Sequence, residues 1–284
     1  MKDAPIVDAH QHFWDPQRAE YPWLTDALAP IRRRFGPEDL RPALAERGVG
    51  RTVLVQTRSG LEETREFLAV AASTDFVAGV VGWADLTDPD VSASLESLRR
   101  GPGGTRLVGL RHQVHDEVDP RWLLRDNVRR GLRAVEEAGL VYDFLVRTRE
   151  LPAAAATARD FPAIRFVIDH IGKPPIRTGQ IEEWAAAMAP FARLRNVACK
   201  LSGMITEADW QGWRPDDLVP YVRRAVEWFG DDRLMFGSDW PVCLVAGSYA
   251  QVFDALQFAL GGCSAEARAK IFGANAARVY RLAP

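Results

Sequence analysis

Residues 6–16, IVDAHQHFWDP, place His10 and His12 one residue apart behind Asp8, close to the start of a 284-residue chain. The reading of this stretch decides the fold. If 6–14 is a buried strand, its side chains alternate between two faces. Asp8, His10 and His12 then share one face, and Val7 and Ala9 take the other, under a layer of helices. Histidines at that spacing stand about 7 Å apart along a strand. Their ring nitrogens can close on one divalent ion, and Zn²⁺ is the usual candidate for a nitrogen-rich site. The plainer alternative is a pair of histidines hydrogen-bonded where a loop begins.

Seven further runs have strand character: 51–57, 77–86, 107–115, 141–146, 165–171, 197–204 and 233–242. Runs such as TVLVQ and RFVI are almost continuously apolar, as strands covered on both faces are. Between the strands lie segments with helical spacing: LEETREFLAVAAS, NVRRGLRAVEEAG, IEEWAAAMAPFARL and DDLVPYVRRAVEWFG. Gly139 is a helix stop just before the next strand. YAQVFDALQFALGG and SAEARAKIFGANAARVYRL carry helical spacing to the end. Eight β-α units in this length predict an α/β fold, a closed (β/α)₈ TIM barrel forming one domain over 1–284. A doubly wound open sheet is the alternative, but no GxGxxG follows the first strand.

Composition narrows the function classes. Apolar residues make up 47% and charged residues 26%, the balance of a soluble globular protein. A net charge of −2 gives no reason to expect nucleic acid or an anionic membrane as partner. The basic run Arg32-Arg33-Arg34 reads as a solvated loop. The N-terminal MKDAPIVDAH lacks the apolar core of a secretory signal. No uncharged apolar run approaches the roughly 18–20 residues of a membrane span. Cys199, Cys243 and Cys263 are odd in number and far apart, with no CxxC pair and no disulfide framework. The expected location is the reducing cytoplasm. Cys199 reads as a small buried apolar residue, and the other two are unassigned. Nothing in the sequence speaks to oligomeric state.

Barrels of this kind work at the C-terminal ends of their strands. Parity there puts Phe166, Ile168 and His170 on one face. It separates Ala198, Lys200 and Ser202 from Cys199 and Leu201, and aligns Met235, Gly237 and Asp239. Glycine in a crowded barrel leaves room beside a site. Four strand ends can therefore offer polar groups to one mouth, with His170 and Asp239 completing or flanking the pair His10 and His12.

The motifs VDAHQHFW, GLRHQVHDE, VIDHIGKP, CKLSGM and FGSDWPV, with the closing IFGANAARVYRL, resemble in order those of the amidohydrolase superfamily. They are most like its branch of sugar lactonases and related lactone hydrolases, over about residues 5–282. The resemblance implies a (β/α)₈ barrel and hydrolysis of a lactone such as L-fucono- or L-rhamnono-lactone. It maps the HxH motif to His10 and His12, the later histidine to His170 and the strand-eight aspartate to Asp239. Binuclear members bridge two metals with a carboxylated lysine or a glutamate. Here strand four ends in Arg111, His112 and Gln113, and strand five in Val146 and Arg147. That implies at most one ion, and both one Zn²⁺ and no required metal stay open.

Ester hydrolysis needs an activated water, a polarised carbonyl and a proton for the leaving alkoxide. Asp239 is the candidate general base. His10 and His12 would bind a metal or the carbonyl oxygen, and His170 would polarise the carbonyl or bind the water. Lys200 is an inward ammonium that must meet a carboxylate or a polar substrate. The site is favoured over a structural ion pair with, for instance, Asp8. Arg111 and His112 are candidate substrate contacts. So are Gln56, Trp83, Trp14 and Trp240, whose aromatics could equally be packing. Ser202 and Ser238 lack a nucleophile elbow. The competing functions are a metal-dependent decarboxylase of an unsaturated or aromatic acid, and a non-catalytic barrel that binds a sugar acid.

Overall fold

Eight parallel strands pair in sequence order: β1 (Ile6–Gln11), β2 (Val49–Val55), β3 (Val77–Gly82), β4 (Leu107–His112), β5 (Val141–Phe144), β6 (Phe166–Ile168), β7 (Val197–Leu201) and β8 (Leu234–Phe236). The computed structural model describes residues 5–283. Residues 1–4, part of the stretch read above for a signal peptide, and residue 284 lie outside the described residues. The last strand returns to the first: the Asp239 amide donates to the His10 carbonyl at 2.8 Å and the His12 amide to the Trp240 carbonyl at 2.7 Å. The two motif stretches thus form the seam that closes the barrel. The observed architecture is the expected (β/α)₈ barrel.

The helical patterns become α1 (Pro37–Glu46), α2 (Leu61–Ser73), α3 (Val91–Arg100), α4 (Asp126–Glu137), α5 (Leu151–Asp160), α6 (Glu182–Met188), α7 (Pro215–Phe229) and α8 (Tyr249–Ala259). The C-terminal pattern divides into α9 (Ala265–Ala269) and α10 (Asn275–Val279), joined by a wider π-turn over Lys270–Ala274. No helix among the described residues is long and apolar enough to cross a membrane.

Two apolar clusters show which way each strand faces. The barrel interior holds Val7, Ala9, Val53, Val55, Val167, Ala198 and Met235, with Val279, Tyr280 and Leu282 closing its floor. The layer between strands and helices holds Leu54, Phe166, Ile168, Cys199 and Leu201. Parity in β7 and β8 is as expected. In β1 it is not: Val7 and Ala9 face inward, and Asp8 faces α8, where the Tyr249 hydroxyl donates to it at 3.1 Å. The register explains the reversal. Asp8 pairs with Thr52 but Gln11 with Leu54, so β1 carries one extra residue there. Such a bulge re-aims the side chains beyond it, and His10 enters the barrel after all. Parity in β6 is also corrected. Val167 points inward and Phe166 and Ile168 outward, so the strand delivers Asp169, not His170, by simple alternation.

Candidate active site

His170 reaches the mouth by another route. His170, Ile171, Gly172 and Lys173 all have positive φ, at 53°, 45°, 70° and 50°. Consecutive left-handed residues cost roughly 1–2 kcal/mol each for side chains other than glycine. The turn is held by the Lys173 amide donating to the His170 carbonyl at 2.8 Å and by the indole of buried Trp184 donating to the Ile171 carbonyl at 2.7 Å. Asp239 is left-handed as well, with φ 57°. Strain of this kind persists where the surroundings over-determine it, and it clusters at functional sites. Two glycines clear the space: a Cβ on Gly203 would lie 2.4 Å from His170 Nδ1, and one on Gly237 would lie 2.7 Å from His10 Cβ.

The side chains meet in two layers. In the upper layer His12, His170, Asp239 and Arg111 keep 4–6% of their side chains exposed. Asp239 Oδ1 lies 3.4 Å from His12 Nε2, 3.8 Å from His10 Nε2 and 3.9 Å from His170 Nε2. Beneath them His10, Asp143, Asp169 and Lys200 are sealed. Lys200 Nζ lies 2.6 Å from Asp143 Oδ2 and 2.9 Å from Asp169 Oδ1, and Arg111 Nη1 donates to Asp169 Oδ2 at 3.0 Å. A charge this deep is tolerated only when paired in this way.

Partners fix the tautomer of His12 and bias that of His10. His12 Nδ1 is 2.7 Å from the Val55 carbonyl, which can only accept, so the proton sits there and Nε2 carries a lone pair. His10 Nδ1 is 3.2 Å from Asp169 Oδ1, and its Nε2 is 3.2 Å from Arg111 Nη1, which can only donate. Lys200 Nζ also lies 3.2 Å from His10 Nδ1, so both nitrogens face donors, and the Asp169 carboxylate beside Nδ1 favours the proton there and the lone pair on Nε2. His170 Nδ1 lies 2.9 Å from the Ser202 hydroxyl, a partner that serves either tautomer.

Burial pushes all three imidazoles toward the neutral form, with His10 held well below its usual value and His170 lowered to about 4. Burial alone would raise Asp239, but the field of His170, His12 and Lys173 around it outweighs that and holds the carboxyl below its usual value. Asp169 is likewise pushed up by burial and pulled well down, chiefly by Lys200. Burial dominates at Asp143 and lifts it to about 6.

The donor set suits a metal. His10, His170 and Asp239 offer ligand atoms within 4.8 Å of one another. The His10 and His12 Nε2 atoms lie 3.1 Å apart, and in the tautomers favoured above their lone pairs face each other. A cation between them removes that repulsion, and neutral imidazoles are the form that binds one.

Several expected contacts are corrected. Lys200 pairs with Asp143 and Asp169, not Asp8, and has no surface at the mouth. Gln56 is buried, its amide committed to Arg111 and Gln113. Trp14 is buried with its indole N–H on the Ile31 carbonyl, and Trp240 is buried between Phe13 and Phe35. His112 has both ring nitrogens engaged: Nδ1 accepts from the Trp83 indole at 3.0 Å and Nε2 bonds Glu117 at 2.9 Å. The sequence reading missed Asp169 and Asp143. Both stood in view as carboxylates inside apolar strands, the same signal that singled out Lys200.

The amidohydrolase family model matches residues 7–282. An L-fucono-1,5-lactonase of Burkholderia ambifaria is 44% identical over 282 residues, covering 97% of this chain and 95% of that one. An L-fucono-1,5-lactonase of Burkholderia multivorans is 39% identical, covering 97% and 96%. Among solved structures, a zinc-bound amidohydrolase from Burkholderia multivorans superposes with a TM-score of 0.93 at 38% identity, covering 99% of this chain and 100% of that one.

Proposed function

The chain belongs to the amidohydrolase family, and we propose that its barrel mouth hydrolyses the ring ester of a sugar-derived lactone, L-fucono-1,5-lactone being the first substrate to try. One observation carries the reading: the Asp239 carboxylate faces three imidazoles within 4 Å at the only slightly open end of an otherwise sealed polar core. A binding site for a sugar acid has no need of such a base, and a negative carboxylate would repel the acid.

Asp239 takes a proton from the attacking water as its oxygen bonds to the lactone carbonyl carbon. Arg111 Nη1, fixed by Asp169, is the charged donor assigned to the developing oxyanion. The ring C–O bond then breaks, and the alkoxide takes the proton back from Asp239. His170, its Nδ1 on the Ser202 hydroxyl, turns Nε2 to the water or to the carbonyl oxygen. One water enters, and one hydroxy acid leaves and ionises. If a divalent ion is bound, His10, His12, His170 and Asp239 would hold it, and it would supply Lewis-acid polarisation of the carbonyl. The nitrogen-rich set favours zinc. Metal analysis of purified protein is expected to give at most about one equivalent per chain, as a single such site permits; two tightly held ions would contradict the assignment.

Three free thiols suit a cytoplasmic enzyme. The function is tested with a panel of aldonolactones and carboxylic acids in weak buffer with a pH indicator and CO₂ detection. Acid release from a lactone above the spontaneous rate is expected. CO₂ release from an acid, or binding without turnover, overturns the proposal.

A further inference from the structure

We infer that Tyr280 and Asp143 are positioning residues for His10, acting from the closed end of the barrel through Lys200 and Asp169. Tyr280 follows α10 and packs in the cluster that fills the barrel floor. Its hydroxyl lies 2.9 Å from Asp143 Oδ1 and 2.8 Å from Oδ2. A phenol has one proton, so it donates to the two oxygens as one shared bond. Asp143 Oδ2 accepts from Lys200 Nζ at 2.6 Å, and Lys200 Nζ reaches Asp169 Oδ1 at 2.9 Å and His10 Nδ1 at 3.2 Å. Asp143, Lys200, Asp169 and His10 are all fully buried. The contacts therefore run from the floor to the histidine with no solvent between.

The ammonium can only donate. With two carboxylates beside it, it has stronger acceptors than the imidazole 3.2 Å away, which favours a proton on His10 Nδ1 facing Asp169 Oδ1. His10 Nε2 then presents its lone pair to the mouth. Without the Asp143 charge the ammonium has one carboxylate and turns a proton toward His10 Nδ1. The imidazole proton is then driven to Nε2, against the Arg111 donor. Asp143 thus selects the tautomer of His10, and the Tyr280 hydroxyl keeps the Asp143 carboxylate from rotating away. Only the kinetic arm of the test below rests on the lactonase reading.

The test combines ¹⁵N NMR of histidine-labelled protein at one fixed pH with a double-mutant cycle. Tyr280→Phe removes one oxygen and leaves charge and ring volume in place. It is expected to fold, to lower kcat about three- to tenfold with KM within about twofold, and to shift the His10 ring-nitrogen signals from the Nδ1–H pattern. Asp143→Asn is expected to shift them further. In a Lys200→Met background, Asp143→Asn is expected to cause no additional loss of kcat, because its route to His10 is already cut. Removing both charges together also keeps the cycle measurable if Asp143→Asn alone does not fold. Unchanged His10 signals in Tyr280→Phe, with only the melting temperature moved, overturn the inference. So does a multiplicative further loss in the Lys200→Met background. If the wild-type protein opens no lactone, the functional reading falls, and the nitrogen spectra still decide the inference.

Discussion

The sealed layer under His10 and the mouth layer above it are built by different means. Asp143, Lys200 and Arg111 project from the bodies of β5, β7 and β4, and Asp169 directly follows β6, its inward direction set by strand alternation. Their positions follow from sheet register, and they are held by ion pairs of 2.6–3.0 Å that are fully buried except at Arg111, which reaches into the mouth layer with 4% of its side chain exposed. His170 and Asp239 sit beyond the strand ends in left-handed backbone, held by local turns and by the space that Gly203 and Gly237 leave open. The lower layer should therefore govern stability as well as activity. The upper layer should govern activity with little effect on the fold.

The largest expected effect lies in the upper layer. Asp239→Asn should lower kcat by at least about a hundredfold, the lower range for a lost general base, with an unchanged melting temperature. Near wild-type turnover in that variant removes Asp239 from the role of base. In the lower layer, Lys200→Met leaves Asp143 and Asp169 without their shared cation. A broken buried ion pair costs about 3–5 kcal/mol, so denaturant titration should show a loss of that size together with reduced kcat/KM. A folded Lys200→Met of unchanged stability would erase the distinction between the layers.

The next effect tests the left-handed turn. Trp184→Phe leaves the Ile171 carbonyl without its donor, a change worth about 1–3 kcal/mol. If the turn relaxes, kcat should fall about tenfold while KM moves little. A loss of stability with full kcat would mean that Trp184 supports the fold and not His170. The smallest effect is expected at Trp14→Phe. Its ring packs against Trp23 and Phe35, so the lactone KM should stay within about twofold and only the melting temperature should drop. A large rise in KM would return Trp14 to the substrate.

The same division explains what was legible in the sequence. Eight apolar runs separated by helical spacing were enough for the barrel, since strand burial and helix periodicity are local patterns. LEETREFLAVAAS became α2 without a shift. Strand ends were overextended: 165–171 shrank to Phe166–Ile168 and 233–242 to Leu234–Phe236, because the chain turns left-handed at His170 and Asp239. Parity worked in β7, where one face is apolar throughout and Lys200 breaks the other. It failed in β1, where a bulge between Asp8 and Gln11 changes the register, and bulges leave no mark in this sequence. It failed in β6 because Phe166, Val167 and Ile168 are all apolar and nothing distinguishes the faces. Asp169 was lost with that error, although it stands beside His170 in the same motif. Trp14 and Trp240 were ambiguous for a related reason: an aromatic beside a motif looks the same whether it packs or binds.

The central claim, that Asp239 activates water for lactone opening, is tested most directly by a single turnover in H₂¹⁸O with enzyme in excess over L-fucono-1,5-lactone. Mass spectrometry would follow both the product and the peptide containing Asp239. The account predicts one ¹⁸O in the product carboxylate from the first turnover, none in its new hydroxyl and none in Asp239. Label in the Asp239 carboxylate would make it a nucleophile, and no product beyond spontaneous hydrolysis would contradict the lactonase assignment itself.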